Sequence, residues 1–318
     1  VFVGKSSHIL GEKVKKTTEF YEGYVYCVTV PSGFIVVRNN GVPVVCGNTR
    51  RGSTAVYMDI SHPDIIEFIN MRTPTGGDTA RKIDNRQGVH LAVNITDAFR
   101  KAEQNDEIWE LKCPHTGEGR DTIPAHELWS RILYPRELTG EPYLYFIDVA
   151  NEHAPEYQKA KGLFSNGSNL CNEITLSTSQ GRTAVCCLSS LNLEYYEEWK
   201  DTTIVADMIR FLDNVIEWFT YFAPDTIHKA RESASAERAI GLGAMGWHNF
   251  LMRNNIPFES GGFNSAAMWN HRIFSDIKAK ALEESKVLAK ERGEPEDCIG
   301  TGLRNSHLLA IAPNANSS

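Results

Sequence analysis

The chain changes its sequence pattern close to Asn48, and this change constrains the fold more than any other feature. Residues 24–46 consist of short β-branched and aromatic runs separated by Pro-Ser-Gly and Asn-Gly turns, which is typical of tight β-hairpins. From Thr49 onward, predicted helices alternate with predicted strands, which indicates an α/β architecture. We therefore predict two units, residues 1–48 and residues 49–318.

Hydrophobic periodicity predicts four helices and four strands in the second unit. The helix over residues 202–222 carries apolar residues at i, i+3 and i+4, and we expect all of them, Phe211 included, to be buried. The helix over residues 264–292 ends in basic residues followed by Gly293, a common helix stop. The other predicted elements are helices over 61–72 and 124–134 and strands over 54–60, 89–95, 143–149 and 308–312.

Composition argues against several function classes. With 318 residues, 42% of them hydrophobic and 23% charged, the chain can bury a sizeable core. Its net charge of -7 argues against a nucleic-acid groove, and no apolar run approaches the length of about 20 residues that a membrane span needs. Seven cysteines without a secretion signal favour reduced thiols in a cytoplasmic protein. Because the chain starts at Val1 and stops at Ser318 within a motif, we expect it to be a fragment.

Asn169, Cys171 and Glu173 place an amide, a thiol and a carboxylate at alternate positions. In an extended segment, side chains two residues apart leave on the same side, so this spacing predicts that the three groups converge on one small molecule. A thiol that abstracts a hydrogen atom and a carboxylate that accepts a hydroxyl proton would suit radical reduction of a ribose. Taken alone, such a motif is more often a buried structural cysteine in a polar loop.

The motif stands among others that occur in a fixed order. They lie at residues 49–53, 62–69, 140–146, 168–174, 184–193, 302–306 and 313–317. Together they resemble the large, catalytic subunit of class I ribonucleoside-diphosphate reductases over the whole second unit. The resemblance implies that this unit is part of the family's ten-stranded α/β barrel and that it acts in deoxyribonucleotide synthesis.

The resemblance also implies roles for four residues. Cys171 would carry the thiyl radical that takes the 3'-hydrogen of the ribose, and Glu173 would be the base at the 3'-hydroxyl. Asn169 would hold the 2'-hydroxyl through both the donor and the acceptor of its amide. Cys186 would be one of the two thiols that supply the reducing electrons. The adjacent Cys187 is expected to be a small buried hydrophobe, because neighbouring cysteines rarely form an unstrained disulfide.

Further sites follow from the same resemblance. Asn314, Ala315, Asn316 and Ser317 would bind the diphosphate of the substrate, as backbone N-H groups before a helix can. The loops around Arg81 and Arg120 would read nucleotide effectors, ATP or deoxynucleoside triphosphates, in an allosteric enzyme. Taken without the resemblance, each of these segments is more often an ordinary surface loop.

The resemblance implies several partners and no directly bound cofactor or metal. The radical would come from a metal-containing small (beta) subunit, the large subunits would form a homodimer, and thioredoxin or glutaredoxin would restore the thiols. The second reducing cysteine is expected upstream of the Arg50-Arg51-Gly52 turn, and a tyrosine relay and shuttling cysteines are expected beyond Ser318. We therefore expect this chain alone to be inactive toward nucleoside diphosphates.

The first unit resembles the C-terminal end of an intein, which implies a short all-β segment of the Hint type that acts with an N-terminal intein half. Asn48 could cyclise to release the downstream chain, and the Thr49 hydroxyl could receive the acyl group. Cys27 stands where most inteins have Asp, and a minority class uses such a cysteine as an acyl carrier. Gly47 and Cys46 depart from the usual pattern. A plain hairpin followed by a surface Asn-Thr pair is the alternative.

Two alternatives to the reductase interpretation remain open. The adenosylcobalamin-dependent reductases usually have Asn-Pro-Cys-Gly-Glu in this loop, whereas Leu170 and Asn172 flank Cys171 here, which favours class I. The chain could also be a splicing module joined to an inactive passenger. The presence of all four predicted catalytic residues argues against a decayed passenger.

Overall fold

The computed structural model describes residues 34–39, 42–47, 53–72, 89–259, 261–262 and 264–314, and for the first two ranges it describes the backbone. Cys27, Asn48, Thr49, Arg81 and the segment 315–317 lie outside the described residues. The splicing junction and parts of the proposed phosphate and effector sites therefore stay predictions.

A β-hairpin occupies the first described part of the chain. Strand β1 (Phe34–Asn39) pairs antiparallel with strand β2 (Val42–Gly47). This register leaves two residues for the connection, the length typical of a tight hairpin with an Asn-Gly turn. The hairpin predicted within residues 24–46 is confirmed for this pair of strands.

The first half of the α/β region contains a parallel three-stranded sheet. Its elements are β3 (Thr54–Asp59), α1 (Ile65–Asn70), β4 (Val89–Ile95), α2 (Asp97–Gln104), β5 (Ile108–Lys112), β6 (Gly119–Pro124), α3 (Ala125–Thr139), β7 (Tyr143–Phe146), α4 (Ile147–Glu152) and α5 (Glu156–Lys159). Strands β3, β4 and β7 lie side by side in that order, and β5 and β6 form a separate antiparallel pair. Leu91 and Val93 of β4 join Phe99, Leu128 and Ile132 in a core that is almost fully buried, as expected for a central parallel strand.

The second half contains a parallel pair of strands covered by two long helices. Its elements are β8 (Cys187–Asn192), α6 (Tyr196–Trp199), α7 (Ile204–Phe222), α8 (His228–Glu237), β9 (Ile240–Met245), α9 (Trp247–Arg253) and α10 (Ala266–Arg292). Strands β8 and β9 pair in parallel. Ile209 and Leu212 of α7 belong to the same core as Ile273 and Ile277 of α10, and each of the four is at most 2% exposed.

The segment after α10 returns to the second sheet. The N-H groups of Ile240 and Leu242 donate to the carbonyl oxygens of His307 and Leu308 at 3.0 and 2.9 Å. The strand predicted over residues 308–312 is thus reduced to a single bridge to Leu242. The Ala310 N-H also donates to the carbonyl oxygen of Leu242 at 3.3 Å, and beyond Ala310 the described chain forms no further backbone-to-backbone hydrogen bond to β9.

The other predicted elements are present, with shifted ends. The strand predicted over residues 143–149 ends at Phe146, and α4 follows directly. Strand β4 ends at Ile95, opposite Phe146, so the chain beyond has no neighbouring strand in register. Asp148, in the first turn of α4, instead accepts a hydrogen bond of 2.8 Å from the N-H of Asp97 at the start of α2. The prediction of strand for residues 147–149 is therefore wrong.

The apolar stripe predicted on α7 is only partly buried. Leu212 and Ile216 are buried, whereas Phe211 is 56% exposed and lies on the same outer side as Trp218 and Phe222. The prediction that Phe211 belongs to the core is wrong. An i, i+3, i+4 pattern marks a broad face, and the contact of α7 with α10, β8 and β9 covers only part of it.

The mixed α/β content predicted for residues 49–318 is confirmed, whereas a closed barrel is not seen. The sheets have two or three strands each, and among the described residues they do not close on themselves. In this same part of the chain, no helix combines the length and apolarity needed to cross a bilayer.

Candidate active site

Asn169, Cys171 and Glu173 lie in a tight turn. The N-H of Asn172 donates to the carbonyl oxygen of Asn169 at 3.2 Å, and Asn172 has a φ of 66°, in the left-handed region that asparagine tolerates better than most residues. The prediction that an extended segment directs the three side chains to one side is therefore wrong. The chain reversal brings Glu173 back toward Asn169 instead.

The side chain of Asn169 closes this turn. Its Oδ1 accepts hydrogen bonds from the N-H groups of Glu173 and Ile174 at 3.0 and 3.2 Å, and from Ser168 Oγ at 3.3 Å. The prediction that the Asn169 amide offers both a donor and an acceptor to a ligand hydroxyl therefore holds only for the donor. Its oxygen serves the loop, so the NH₂ group is the end that remains for a ligand.

Tyr57 of β3 holds the turn against the first sheet. Its hydroxyl donates to the carbonyl oxygen of Asn169 at 2.7 Å and lies 3.1 Å from Asn172 Oδ1, while Asn172 Nδ2 donates to the carbonyl oxygen of Leu144 in β7 at 3.0 Å. Burial raises the pKa of Tyr57 to about 12, so the hydroxyl stays protonated as a donor. Sequence reasoning missed Tyr57; a tyrosine between the apolar residues Val56 and Met58 of a predicted strand was the available signal.

The chain that leads into the turn is also fixed to the first sheet. Asn94 of β4, only 3% exposed, donates to the carbonyl oxygen of Asn166 at 3.1 Å and to Asp59 Oδ1 at 2.9 Å. The N-H of Ser165 donates a hydrogen bond of 2.8 Å to Oδ1 of Asn151 in α4. These contacts lie at the carboxyl ends of parallel strands, where α/β proteins commonly place their sites.

Cys186 and Glu173 lie close enough to influence each other electrostatically. Burial raises the pKa of the Cys186 thiol, and the negative charge of Glu173 and, less strongly, that of Cys171 add to the shift. Such effects fall off rapidly with distance. Cys171 also contributes to the raised pKa of Tyr143, after burial and the charge of Glu141. Glu173 and Cys171 thus lie within electrostatic reach of Cys186, and the catalytic roles of the three residues stay predictions.

A small cavity of about 40 Å³ adjoins these groups and is lined by Glu173, Cys186, Leu188, Gly241 and His307, among others. Glu173 Oε2 is buried and receives no hydrogen bond from the described part of the chain. An unsatisfied buried carboxylate oxygen is costly, and such groups often mark functional positions.

His307 is a cavity residue that sequence reasoning missed. Burial lowers its pKa to about 4, so the imidazole is neutral near pH 7. Its Nδ1 lies 3.1 Å from Ser306 Oγ. A histidine directly before the apolar run of residues 308–312 was the only signal of its position, and such a residue is more often structural than functional.

The two neighbouring thiols differ in environment. Cys186 is exposed as a residue although its thiol is partly desolvated, whereas Cys187 begins β8 and is 9% exposed within the second core. The prediction that Cys187 is a buried small hydrophobe is confirmed. Side chains that follow each other at the start of a strand point to opposite faces, which separates the roles of the two thiols.

Asn314 is the one residue of the predicted phosphate segment within the described chain. Its Oδ1 accepts from Ser190 Oγ of β8 at 2.9 Å, and its Nδ2 donates to the carbonyl oxygen of Ala244 in β9 at 3.2 Å. Its φ is 49°. Asn314 therefore fixes the start of this segment near the carboxyl ends of β8 and β9.

Arg120 lies in strand β6 rather than in a loop, and it is exposed. The loop that precedes it contains Cys113, whose pKa is lowered to about 6 by hydrogen bonds with Thr116 and His115. A role of Arg120 in effector binding stays a prediction. Among the described residues, no group of three His, Cys, Asp or Glu side chains could hold a metal ion.

Comparison with known proteins places these residues in a family. The family model described as ribonucleotide reductase, barrel domain, matches residues 11–298, a range that includes Asn48. The putative ribonucleoside-diphosphate reductase large subunit of Frog virus 3 is 54% identical over 275 residues, which cover 86% of this chain and 47% of that protein. The large subunit of Invertebrate iridescent virus 3 is 39% identical over 327 residues, covering 86% of this chain and 51% of the relative.

A solved structure gives the same result at the level of the fold. The class Id ribonucleotide reductase alpha subunit of Actinobacillus ureae is 35% identical, with a TM-score of 0.72, over 83% of this chain and 46% of that chain. The chain thus spans about half the length of the relatives that it matches. It belongs to the family of ribonucleotide reductase large subunits and corresponds to their barrel domain.

Proposed function

We propose that the protein reduces ribonucleoside diphosphates to deoxyribonucleoside diphosphates through a thiyl radical at Cys171. The observation that carries this proposal is the grouping of Cys171 and Glu173 on one hydrogen-bonded turn, with Cys186 within electrostatic reach of both. Family membership supports the same conclusion, since the viral relatives are named as large subunits of this enzyme.

The residues divide the reaction between them. The Cys171 sulfur takes the 3'-hydrogen atom of the ribose, and Glu173 accepts the 3'-hydroxyl proton. The NH₂ group of Asn169 donates to the 2'-hydroxyl, which leaves as water after protonation. Cys186 and a second thiol supply two electrons and two protons and become a disulfide, and Cys171 returns a hydrogen atom to the 3' carbon.

The environment of Glu173 suits the role of a base. Its Oε2 accepts no hydrogen bond within the described residues, so it can receive a proton without breaking an existing bond. The backbone N-H of Glu173 donates to Asn169 Oδ1 at 3.0 Å, and this hydrogen bond fixes the backbone position from which the Glu173 side chain extends. Tyr57 of β3 binds the Asn169 carbonyl, and Asn169 Oδ1 binds the Glu173 N-H, so hydrogen bonds connect Glu173 to the first sheet.

The remaining components are proposed from the family. A metal-containing small subunit supplies the radical, thioredoxin or glutaredoxin reduces the disulfide, and the large subunit acts as a cytoplasmic homodimer. The diphosphate binds at residues 314–317, and nucleotide effectors bind near Arg81 and Arg120. Asn314, held by β8 and β9, supports the first of these two assignments.

We further propose that residues 1–48 are the C-terminal segment of an intein and that splicing joins Thr49 to an upstream segment. The antiparallel pair of β1 and β2 is compatible with the closing strands of such an element. With the N-terminal half supplied, Asn48→Ala should abolish C-terminal cleavage, and Cys27→Ser should slow ligation if Cys27 carries the acyl group. Ligated product from Asn48→Ala would contradict the proposal.

One observation favours class I over the cobalamin-dependent alternative. Asn172, at a φ of 66°, forms hydrogen bonds with Tyr57 and Leu144 through its side chain. The glycine usual at this position in the cobalamin class could adopt the same φ but could not form either bond. An inactive passenger is disfavoured because the turn retains its full hydrogen-bond network.

The test is deoxynucleotide formation by the full-length enzyme with its small subunit and a nucleoside diphosphate. Cys171→Ser should remove turnover, because an O-H bond is too strong for the same hydrogen transfer. Cys186→Ser should permit activation at the 3' carbon without reduction, so free base should replace deoxynucleotide. Sustained deoxynucleotide formation by Cys171→Ser would refute the proposal.

A further inference from the structure

A short turn precedes Cys186 and determines where its backbone enters β8. The N-H of Ser179 donates to the carbonyl oxygen of Arg182, and the N-H of Arg182 donates to that of Ser179, both at 3.2 Å. Arg182 stands four residues before Cys186. Any contact that fixes Arg182 therefore also limits the positions open to the Cys186 thiol.

The turn of residues 179–182 packs against one face of helix α8. Lys229 Nζ donates to the carbonyl oxygen of Gln180 at 2.7 Å, and Ser233 Oγ accepts from the N-H of Thr183 at 3.0 Å. Glu237 follows at the next i+4 position. Residues spaced by four lie on one side of a helix, so the last turn of α8 presents the Glu237 carboxyl to the same segment.

Arg182 forms a buried cluster with two carboxylates. Its guanidinium forms a close ion pair with Asp297, with a second contact of 3.5 Å from Nη1 to Oδ1, and Nη2 lies 3.8 Å from Glu237 Oε2. The side chains of Glu237 and Asp297 are 0% and 5% exposed, and that of Arg182 is 19% exposed. The cluster joins the turn, α8 and the segment after α10.

The charges of this cluster do not balance unless one proton is added. A single guanidinium can neutralise one carboxylate, and Asp297 has the shorter contact with it. Neither oxygen of Glu237 has a hydrogen-bond partner among the described residues. A second buried carboxylate with no hydrogen bond, no solvent and only a contact of 3.8 Å to an arginine already paired with Asp297 is strongly unfavourable, so Glu237 is expected to hold a proton.

The electrostatic environment of Glu237 agrees with this assignment. Burial raises the pKa of Glu237 to about 7, with Arg182 opposing the shift and Asp297 adding to it. Arg182 and Asp297 are thus the charged groups that act on Glu237.

We propose that Arg182, Asp297 and a protonated Glu237 position the Cys186 thiol by fixing the turn of residues 179–182 against α8. The inference rests on the proposed role of Cys186 as a reducing thiol and adds three positioning residues to it. Cys186 then stays in the buried environment that raises its pKa, near Glu173 and Cys171, whose charges add to this effect. Release of the turn moves the thiol away from these charges, lowers its pKa and increases its reactivity.

The test is peptide-resolved alkylation of Cys186 by iodoacetamide, since the thiolate is the reactive form. Arg182→Met keeps most of the aliphatic stem and removes the charge, and it should increase the rate at Cys186 about fivefold or more near pH 6, where Glu237 holds its proton. Arg182→Lys should give an intermediate rate. Glu237→Gln copies the protonated acid and should leave the rate within about twofold of the unchanged protein.

Two controls separate positioning from general stability. Arg231→Met removes an arginine of α8 outside the cluster, whose partner Asp225 has a 93% exposed side chain, and it should not change the rate. Cys187, buried beside Cys186, reports on global opening. An unchanged Cys186 rate in Arg182→Met, or an equal rise at Cys187, would overturn the proposal. The measurement needs neither substrate nor small subunit, so its failure is distinguishable from failure of the proposed reductase activity.

Discussion

Replacement of Glu237 by glutamine should make the protein more stable at high pH and leave it almost unchanged at low pH. Glu237 is fully buried, and both of its oxygens lack a hydrogen-bond partner in the described chain. Burial raises the pKa of Glu237 to about 7 from its ordinary value of 4.5. Glutamine has nearly the same shape as the protonated acid and does not ionise in this range.

The sign follows from proton linkage. Between these two pKa values the folded state binds more protons than the unfolded state, so stability falls as the pH rises. The favourable contribution is complete below the unfolded pKa and is lost as the pH rises through the folded pKa, near 7. A separation of roughly 2.5 pKa units corresponds to about 3 kcal/mol in the free energy of unfolding.

The assay is urea unfolding, followed by tryptophan fluorescence, at several values between about pH 5 and pH 8. The free energy of unfolding of Glu237→Gln should exceed that of the unchanged protein by a margin that grows by about 2 kcal/mol over this range. Glu232→Gln, at an exposed position of α8, is the matched control and should show a constant difference. A pH-independent difference for Glu237→Gln, or lower stability at every pH, would refute the reasoning.

Three further predictions concern single contacts. Tyr57→Phe removes the donor to Asn169 and should destabilise the turn by about 1–2 kcal/mol, with slower deoxynucleotide formation; hydrogen exchange of the turn would report the change. Gly243→Ala should lower the free energy of unfolding by about 1–3 kcal/mol, since a Cβ at Gly243 would collide with the carbonyl oxygen of Ala310. His307 should stay neutral down to about pH 4, because burial disfavours its charged form; imidazole NMR shifts would show this directly.

Each of these predictions can fail clearly. Tyr134→Phe alters a tyrosine that is 61% exposed, and it should leave exchange in the turn unchanged; an equal effect of both variants would contradict the role of Tyr57. Gly181→Ala meets nothing within 4 Å, so equal destabilisation by Gly181→Ala and Gly243→Ala would contradict the argument from close approach. Protonation of His307 near pH 6 would show that its ring is not desolvated.

Local sequence determined the type of most secondary structure and the identity of the chemical groups. Helix α10 begins after Ser265, whose side chain accepts a hydrogen bond from the Met268 N-H at 3.2 Å, and it ends before Gly293. Caps and apolar periodicity act over a few residues, so a short window of sequence contains them. The motif with Cys171 and Glu173 was recognisable for the same reason, because its members stand two residues apart.

Tertiary structure decided how those groups are arranged. The turn around Cys171 takes its shape from Tyr57, more than a hundred residues earlier in the chain, and β7 ends at Phe146 because its partner β4 ends there. Phe211 fits the apolar pattern of α7 yet remains exposed, since only contact with other elements decides which part of a face is covered. Periodicity describes one element at a time and carries no information about its neighbours.

The buried cluster shows the same division most clearly. The sequence supplies Arg182, Glu237 and Asp297 as ordinary charged residues separated by 55 and 60 positions. Only the packing of the 179–182 turn and the segment after α10 against α8 removes them from water and brings them into contact. Desolvation then decides which carboxyl holds a proton, and it arises from long-range contacts that no local pattern records.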